Sequence, residues 1–373
     1  MDIREKTDLV KQMVADAQSV WPQNFGDIEN TFNQCSLSIC VNIMKQFGIF
    51  QKKGQSLDWL DIKKKAGLVK EGEYIIKHIL FILCEEGILE KKDDTYICLK
   101  VVDMENPAEI LVKVTRHFPG EGAAFQWLAR AYEGTADVVQ GKIPAEDIMF
   151  PWGSFELVED VYFSSKVYGY YSLLAGLVVK RLCDDLYGNK VCLLEVGAGT
   201  GNGTACVLEH SSQSFSRYIN SDISRSLLKK SKKRFKEYDF MEYKMLDINK
   251  DLAEQGMEKE SMDIILAVNV VHALDNTVES LKNLYPLLKK NGCLILAEIA
   301  PPKNSIYRYM ELTFGLLASY YHRDDTDLRP VSAIIRPDKW QEIMKMAGLI
   351  NTIAVPGNRA DGIDRGGVVI GFK

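Results

Sequence analysis

Apolar positions in the first hundred residues recur at helical spacing. Steps of three and four between apolar residues predict helices over residues 30–46 and 74–86. A short capped helix is predicted between them, over residues 56–62. Residues 87–99 then alternate like a hairpin, with a charged tip at 92–94. Three helices followed by a hairpin are typical of a winged-helix domain.

In the second half, the pattern changes to short apolar runs that each end in polar residues. The predicted strands cover residues 191–194, 216–222, 241–245, 262–269 and 293–298. The polar residues at or just beyond their ends are Glu195, Asp222, Asp247, Asn269 and Glu298. Such runs predict a doubly wound, Rossmann-like parallel sheet, an α/β fold that binds ligands at the carboxyl ends of its strands.

Two further segments frame this predicted sheet. Residues 105–180 are predicted to be helical and rich in aromatics, and an insertion at about 301–337 follows the fifth strand. A helix over 340–347 and two strands over 349–355 and 366–372 close the chain, with a polar loop over 356–365 between these strands. We therefore predict an N-terminal region over 1–165 and a sheet domain over 166–373.

The turn after the first of these strands contains Glu195, Gly197, Gly199 and Gly201. Glycine lets the backbone turn sharply and lets a ligand approach closely. The dinucleotide pattern G-x-G-x-x-G fails because its last position is Asn202. Acid-x-G-x-G-x-G is instead the pattern of S-adenosylmethionine (SAM) methyltransferases; a purely structural turn is the alternative.

The acids after the next two strands fit the same cofactor. Asp222 lies one strand–helix–strand unit after the glycine turn, where a carboxylate accepts hydrogen bonds from a ribose diol. Asp247 is predicted to accept from the adenine amino group, and Ile248 to pack on the ring.

Several segments resemble the methyltransferase domains of polyketide synthases, over about residues 105–373. The matching segments are Val138–Gly141, Phe150–Ser154, Tyr162–Ser165, Asp222–Ser224, Tyr238–Phe240, Leu246–Ile248, Gln255-Gly256, Asn269–Ala273, Leu296–Glu298, Trp340 and Ala347-Gly348.

This resemblance implies a class I fold, SAM as cofactor and a polyketide intermediate on an acyl carrier protein as substrate. In the C-methylating members a histidine and a glutamate form the catalytic pair, and these positions match His272 and Glu298. The resemblance also adds Tyr162, Ile223 and Asn269 to the predicted cofactor site.

The chemistry of the pair can be argued from the residue types. A carbon nucleophile must lose a proton before it attacks a methyl group, and an imidazole oriented by a carboxylate can take that proton. His272 and Glu298 are therefore predicted to be catalytic. The alternatives are a capping histidine with a solvated glutamate, O-methylation of a β-hydroxyl, or a catalytically silent binding module. The other histidines, at 78, 117, 210 and 322, are predicted to be surface or core residues.

Composition limits the setting. A net charge of −5 over 373 residues leaves no nucleic-acid footprint, and the helix over 74–86 is too apolar to contact bases. The N-terminal region is therefore predicted to be a lid or a dimerisation surface, which allows a homodimer. The basic run at 229–234 is predicted to be a solvated helix face, with contact to an acidic carrier protein as the alternative.

Eight cysteines without a C-x-x-C pair predict neither a metal site nor a disulfide framework. A signal peptide and a run of 18 apolar residues are both lacking. We expect a cytoplasmic protein that does not enter a membrane.

Overall fold

The computed structural model describes residues 3–20, 24–188, 190–301, 307–330, 332–356 and 366–373. They form two compact units. The sheet unit comprises Met1–Pro22, Tyr168–Ile306 and Arg323–Lys373, and the helical unit comprises Gln23–Val167 and Tyr307–His322.

The helices and strands follow one another along both units. The α-helices are α1 Ile3–Ser19, α2 Phe25–Gln46, α3 Trp59–Ala66, α4 Glu73–Glu85, α5 Pro107–His117, α6 Gly122–Val139, α7 Ala145–Met149, α8 Glu156–Ser164, α9 Lys166–Leu182, α10 Asn202–Ser211, α11 Arg225–Arg234, α12 Thr277–Leu284, α13 Arg308–Thr313 and α14 Pro337–Met346. The strands are β1 Ser56–Asp58, β2 Leu89–Lys92, β3 Thr95–Cys98, β4 Val191–Val196, β5 Phe215–Asp222, β6 Met241–Met245, β7 Met262–Val268, β8 Leu288–Ile299, β9 Ile350–Pro356 and β10 Gly366–Phe372.

The sheet unit is built on seven strands in the order β6-β5-β4-β7-β8-β10-β9. Strands β4 to β8 pair in parallel, and β10 runs antiparallel to both β8 and β9. Buried residues such as Leu194, Ile265 and Leu296 pack its interior. This confirms the predicted Rossmann-like sheet. The order reverses at β4, so the carboxyl ends of β4 and β7 flank the switch point where such sheets bind ligands.

The helical unit contains a small antiparallel sheet in the order β1-β3-β2 beside its helices. Lys92 pairs with Thr95, which places the hairpin tip where the sequence predicts it. The predicted short helix begins at Trp59, because Ser56 pairs with Ile97 in β1 and does not join the helix. The cap is Asp58, whose carboxylate accepts from the Asp61 N–H at 2.8 Å, because the hairpin edge recruits residues 56–58 as a third strand.

Two segments belong to a different unit than the predicted division at residue 165 implies. Residues 1–22 belong to the sheet unit, where Asp16 of α1 pairs with Arg181 at 2.9 Å. Residues 307–322 belong to the helical unit, where the Tyr309 ring stacks on Phe32 with centroids 4.5 Å apart. Of the predicted polar loop over 356–365, residues 357–365 lie outside the described residues.

Candidate active site

The glycine turn joins β4 to α10 with three residues in the left-handed region. Gly197, Gly199 and Gly201 have φ angles of +60°, +54° and +84°. A Cβ on Gly197 would lie 2.4 Å from Val270 Cγ2, so this glycine lets two loops pack together. Among the described residues, a Cβ on Gly199 would meet only the Gly197 carbonyl within 4 Å, at 3.7 Å, so this part of the structure leaves the turn open beside Gly199.

Asp222 bridges the end of β5 to this turn. One carboxylate oxygen accepts from the Gly199 N–H at 2.9 Å and the other from the Ser224 N–H at 2.8 Å. Each oxygen keeps a further lone pair, so the carboxylate can still accept hydroxyl hydrogen bonds. The neighbouring Ile223 is an apolar side chain that is 71% exposed, at the position predicted to contact the cofactor.

Glu195 lies beneath the turn and is 1% exposed. Its Oε2 accepts from Thr204 Oγ1 at 2.5 Å, from Tyr218 OH at 2.8 Å and from Asn220 Nδ2 at 3.4 Å. Burial raises the pKa of Glu195 to about 7, although these hydrogen bonds act in the opposite direction. The carboxyl group therefore ties α10 to the sheet, and contact between Glu195 and a cofactor stays a prediction.

Asp247 and Ile248 follow β6. Burial tends to raise the pKa of Asp247, but Lys250 at 3.0 Å and the Asn249 N–H at 3.1 Å outweigh it and lower the pKa. Ile248 is 6% exposed and packs in the sheet core. Of the two isoleucines predicted at the cofactor site, Ile223 therefore offers the larger open surface.

Asn269 turns the chain at the end of β7. It has φ +52°, and its Oδ1 accepts from the Ile299 N–H at 3.0 Å. Its own N–H donates to the Ala297 carbonyl at 2.8 Å. These bonds to β8 direct the chain into the short 3₁₀ turn Val271–Ala273, which carries His272.

The structure brings His272 and Glu298 together. His272 Nδ1 lies 2.6 Å from Glu298 Oε2, and Glu298 Oε1 accepts from the N–H groups of Val270 at 3.0 Å and Val271 at 2.7 Å. A carboxylate with these donors holds the proton of the imidazole on Nδ1. Nε2 is then the ring nitrogen with an open lone pair, which is the arrangement that a general base needs.

The structure does not match the alternative in which His272 caps a helix and Glu298 is solvated. Glu298 is 2% exposed and is not a solvated strand end. Helix α12 is capped by Asn276, whose side chain accepts from the Glu279 N–H at 3.1 Å, so His272 is not its cap.

A buried arginine also contacts the His272 turn. Arg329 is fully buried, and its Nη1 donates to the His272 carbonyl at 2.7 Å. Its charge is paired with Asp325 at 2.5 Å. The sequence alone does not mark this pair, beyond placing an acid and a base four residues apart.

Two other predicted residues lie in the helical unit. Tyr162 is a partly buried residue of α8, and its place near a methyl donor stays a prediction. His78 is buried, as a core residue should be, but it also has an acid partner: its Nδ1 lies 3.2 Å from both Glu311 Oε2 and Tyr321 OH. The sequence shows no sign of this second histidine–glutamate pair.

Neither a metal site nor a membrane span is found in the described ranges. No cluster of three or more metal-binding side chains occurs in them. None of their helices has the length and apolar content that crossing a bilayer requires.

Comparison with known proteins gives relatives of one kind. A family model described as a methyltransferase domain matches residues 194–294. Methyltransferase calH of Penicillium decumbens is 30% identical over 269 residues, which are 69% of this chain and 69% of that protein. Polyketide synthase PksM of Bacillus subtilis is 32% identical over 222 residues, 57% of this chain but only 5% of the synthase.

Solved structures share the fold. The carbon methyltransferase of CurJ superimposes with a TM-score of 0.87 at 24% identity, covering 99% of this chain and 98% of that one. The trans-methyltransferase CalH in complex with SAH (S-adenosylhomocysteine) gives a TM-score of 0.69 at 22% identity, covering 94% of this chain and 92% of that one.

Proposed function

We propose, since the chain belongs to the SAM-dependent methyltransferases of the polyketide-synthase type, that it methylates the α-carbon of a β-ketoacyl thioester on an acyl carrier protein. The observation that carries this proposal is the 2.6 Å contact between His272 Nδ1 and Glu298. It provides a base whose other ring nitrogen is open to a substrate.

The residues of the glycine turn suit the cofactor. The turn is open beside Gly199, the Asp222 carboxylate keeps lone pairs for a ribose diol, and Ile223 offers apolar surface for an adenine ring. Asp247 has an acceptor for the adenine amino group. When bound there, SAM supplies an electrophilic methyl group on a sulfonium.

The histidine pair supplies the proton chemistry. The α-hydrogen between two carbonyl groups is acidic, so His272 Nε2 can accept it as a proton and leave an enolate. The enolate α-carbon would then form a bond to the methyl carbon of a bound SAM, the methyl–sulfur bond would break, and SAH would leave. Glu298 accepts from Nδ1–H throughout and stabilises the imidazolium. Two backbone N–H groups hold Glu298 in place, so the imidazole does not need to reorganise when its charge forms. The His272 side chain is 17% exposed, which gives the proton a route to solvent.

An acyl carrier protein is the proposed partner because several relatives belong to polyketide synthesis. PksM and PksR are named polyketide synthases and calH is named a methyltransferase. We further propose that the helical unit acts as a lid over the acceptor or as a dimer contact.

The eight free cysteines fit a reducing, cytoplasmic compartment.

The test uses one carrier protein loaded with either a β-ketoacyl or a β-hydroxyacyl group. With SAM added, intact-protein mass spectrometry should show a gain of one methyl on the ketoacyl form only. In D₂O without SAM, the enzyme should exchange the α-protons of the ketoacyl group, and the His272→Ala variant should not.

Two results would contradict the proposal. Methylation of the hydroxyacyl form without α-proton exchange would assign O-methylation instead. No transfer to either carrier, together with no binding of SAM by calorimetry, would leave a catalytically silent binding module.

A further inference from the structure

Arg329 holds the backbone of the turn that carries His272. Its Nη1 donates to the His272 carbonyl and its Nη2 to the Leu274 carbonyl, each at 2.7 Å. The side chain is fully buried, so these carbonyl groups are satisfied by the guanidinium in place of water.

Asp325 joins this arginine to the next helix. Its Oδ1 accepts from Arg329 Nε at 2.7 Å, and its Oδ2 accepts from Thr277, from the N–H at 2.9 Å and from Oγ1 at 2.6 Å. Thr277 is the first residue of α12. The pair therefore links both ends of the segment from His272 to Thr277.

A pair of this kind is a poor way to gain stability alone. Burial lowers the pKa of Arg329, although Asp325 raises it. Burial also disfavours the charged form of Asp325 and so tends to raise its pKa. The hydrogen bonds from Thr277 and Arg329 outweigh this effect, and the pKa of Asp325 is lowered. Well-packed apolar side chains often match or exceed the stability that a buried ion pair provides. What apolar side chains cannot do is donate to the carbonyls of an irregular turn.

We infer that Arg329 and Asp325 are positioning residues for His272. His272 is then held at two points: its ring by Glu298 and its carbonyl by Arg329. A backbone rotation at this turn would move Nε2 away from the substrate even if the bond to Glu298 survived. Misplacement of a catalytic group by about 1 Å can cost on the order of 100-fold in rate.

The test compares Arg329→Lys and Asp325→Asn with a matched control, Arg217→Lys. Lysine keeps the positive charge beside Asp325 but lacks the planar fork that reaches two carbonyls. Arg217 forms a two-bond pair with Glu242, at 2.8 Å for each bond. Among the described residues, its side chain forms no hydrogen bond to the predicted site. All rates are expressed per SAH-binding site, counted by calorimetry, so a misfolded fraction does not enter the comparison.

In both variants kcat should fall by about 10–100-fold. α-Proton exchange in D₂O should fall in parallel. KM for the acylated carrier and the affinity for SAH should stay within about twofold of wild type. Arg217→Lys should match wild type in every measurement.

Normalised kcat within twofold of wild type in both variants would overturn the inference. So would a proportional loss of kcat and SAH affinity, because that pattern marks a structural role only. The inference rests on the proposed function, because it assigns Arg329 and Asp325 to the support of a catalytic His272. If wild type methylates a hydroxyl, its turnover replaces exchange as the readout; if wild type does neither, the proposed function has failed and the inference fails with it.

Discussion

At the scale of single residues, the site contains buried carboxyl groups whose donors differ. Glu298 accepts from two backbone N–H groups and an imidazole. Asp222 accepts from two backbone N–H groups. Glu195 accepts from two hydroxyls and an amide in a site that is 1% exposed, and its pKa is raised to about 7. The same side-chain chemistry thus serves an orienting role, a loop contact and a link between helix and sheet.

The raised pKa of Glu195 makes stability depend on pH. Because an unfolded glutamate titrates near about 4.3, the folded protein binds more protons than the unfolded chain between that pH and about 7. Stability is therefore lost as pH rises through this window. The glutamine in Glu195→Gln does not ionise. The free energy of unfolding of this variant, measured relative to wild type by denaturant titration, should therefore increase by about 2–3 kcal/mol from pH 5 to pH 8.

Glu242→Gln is the control for that experiment. Its pKa is lowered, chiefly by the hydrogen bond from Arg217, so the loss of its charge should weaken the protein more at pH 8 than at acidic pH. Parallel pH profiles for wild type and Glu195→Gln would contradict the prediction.

Asp222→Ala should weaken SAH binding by about 2–3 kcal/mol, because it removes two ribose hydrogen bonds and frees the Gly199 N–H. Asp222→Asn, which retains an acceptor oxygen, should lose less. Calorimetry measures both, and unchanged affinity in the alanine variant would remove Asp222 from the cofactor site.

His272→Ala should leave SAH binding intact and cut methyl transfer by about 10²–10⁴-fold. Glu298→Gln should approach that loss, because its amide N–H₂ would face Nδ1 and favour a proton on Nε2. The double variant should be little worse than His272→Ala, since the two act as a unit. Near-normal single-turnover rates in both single variants would exclude the pair from catalysis.

At the scale of elements, the glycine turn and the His272 turn are packed against each other. Val270 directly precedes the second turn and fills the space that a Cβ on Gly197 would occupy. The loop that is predicted to receive the cofactor and the loop that carries the predicted base therefore constrain each other.

Gly197→Ala should destabilise the protein by about 2–4 kcal/mol, because strain at φ +60° adds to a clash at 2.4 Å. Gly54→Ala is the control: its φ is +78°, but no atom of the described residues lies within 4 Å of the added Cβ, so only strain of about 1 kcal/mol remains. The double variant Gly197→Ala/Val270→Ala should recover part of the loss in a thermal melt. If Gly197→Ala costs no more than Gly54→Ala, the two turns are not coupled by this contact.

At the scale of the whole molecule, a net charge of −5 and the apolar α4 argue against nucleic-acid binding by the helical unit. We expect no shift of duplex DNA in a gel at moderate salt. A sequence-selective shift that weakens with added salt would contradict this and assign the winged-helix-like segment a second role.

The sequence by itself determined the elements and the ends of the strands. An apolar run followed by an acid and alternate glycines specifies β4 and its turn, and the parallel topology then brings the ends of β5, β7 and β8 to the same edge. Asp222, Asn269, His272 and Glu298 could be singled out for that reason. Local periodicity also predicted helix α2 and the hairpin of β2 and β3.

Only the tertiary structure decided which distant residues meet. Arg329 reaches the His272 carbonyl 57 positions away, Glu195 turns inward to Tyr218, and residues 307–322 join the helical unit. Periodicity records which face of an element is buried but not what covers that face. A buried charge must be paired because leaving it unpaired costs free energy. Which group can pair with it depends on how the whole core packs.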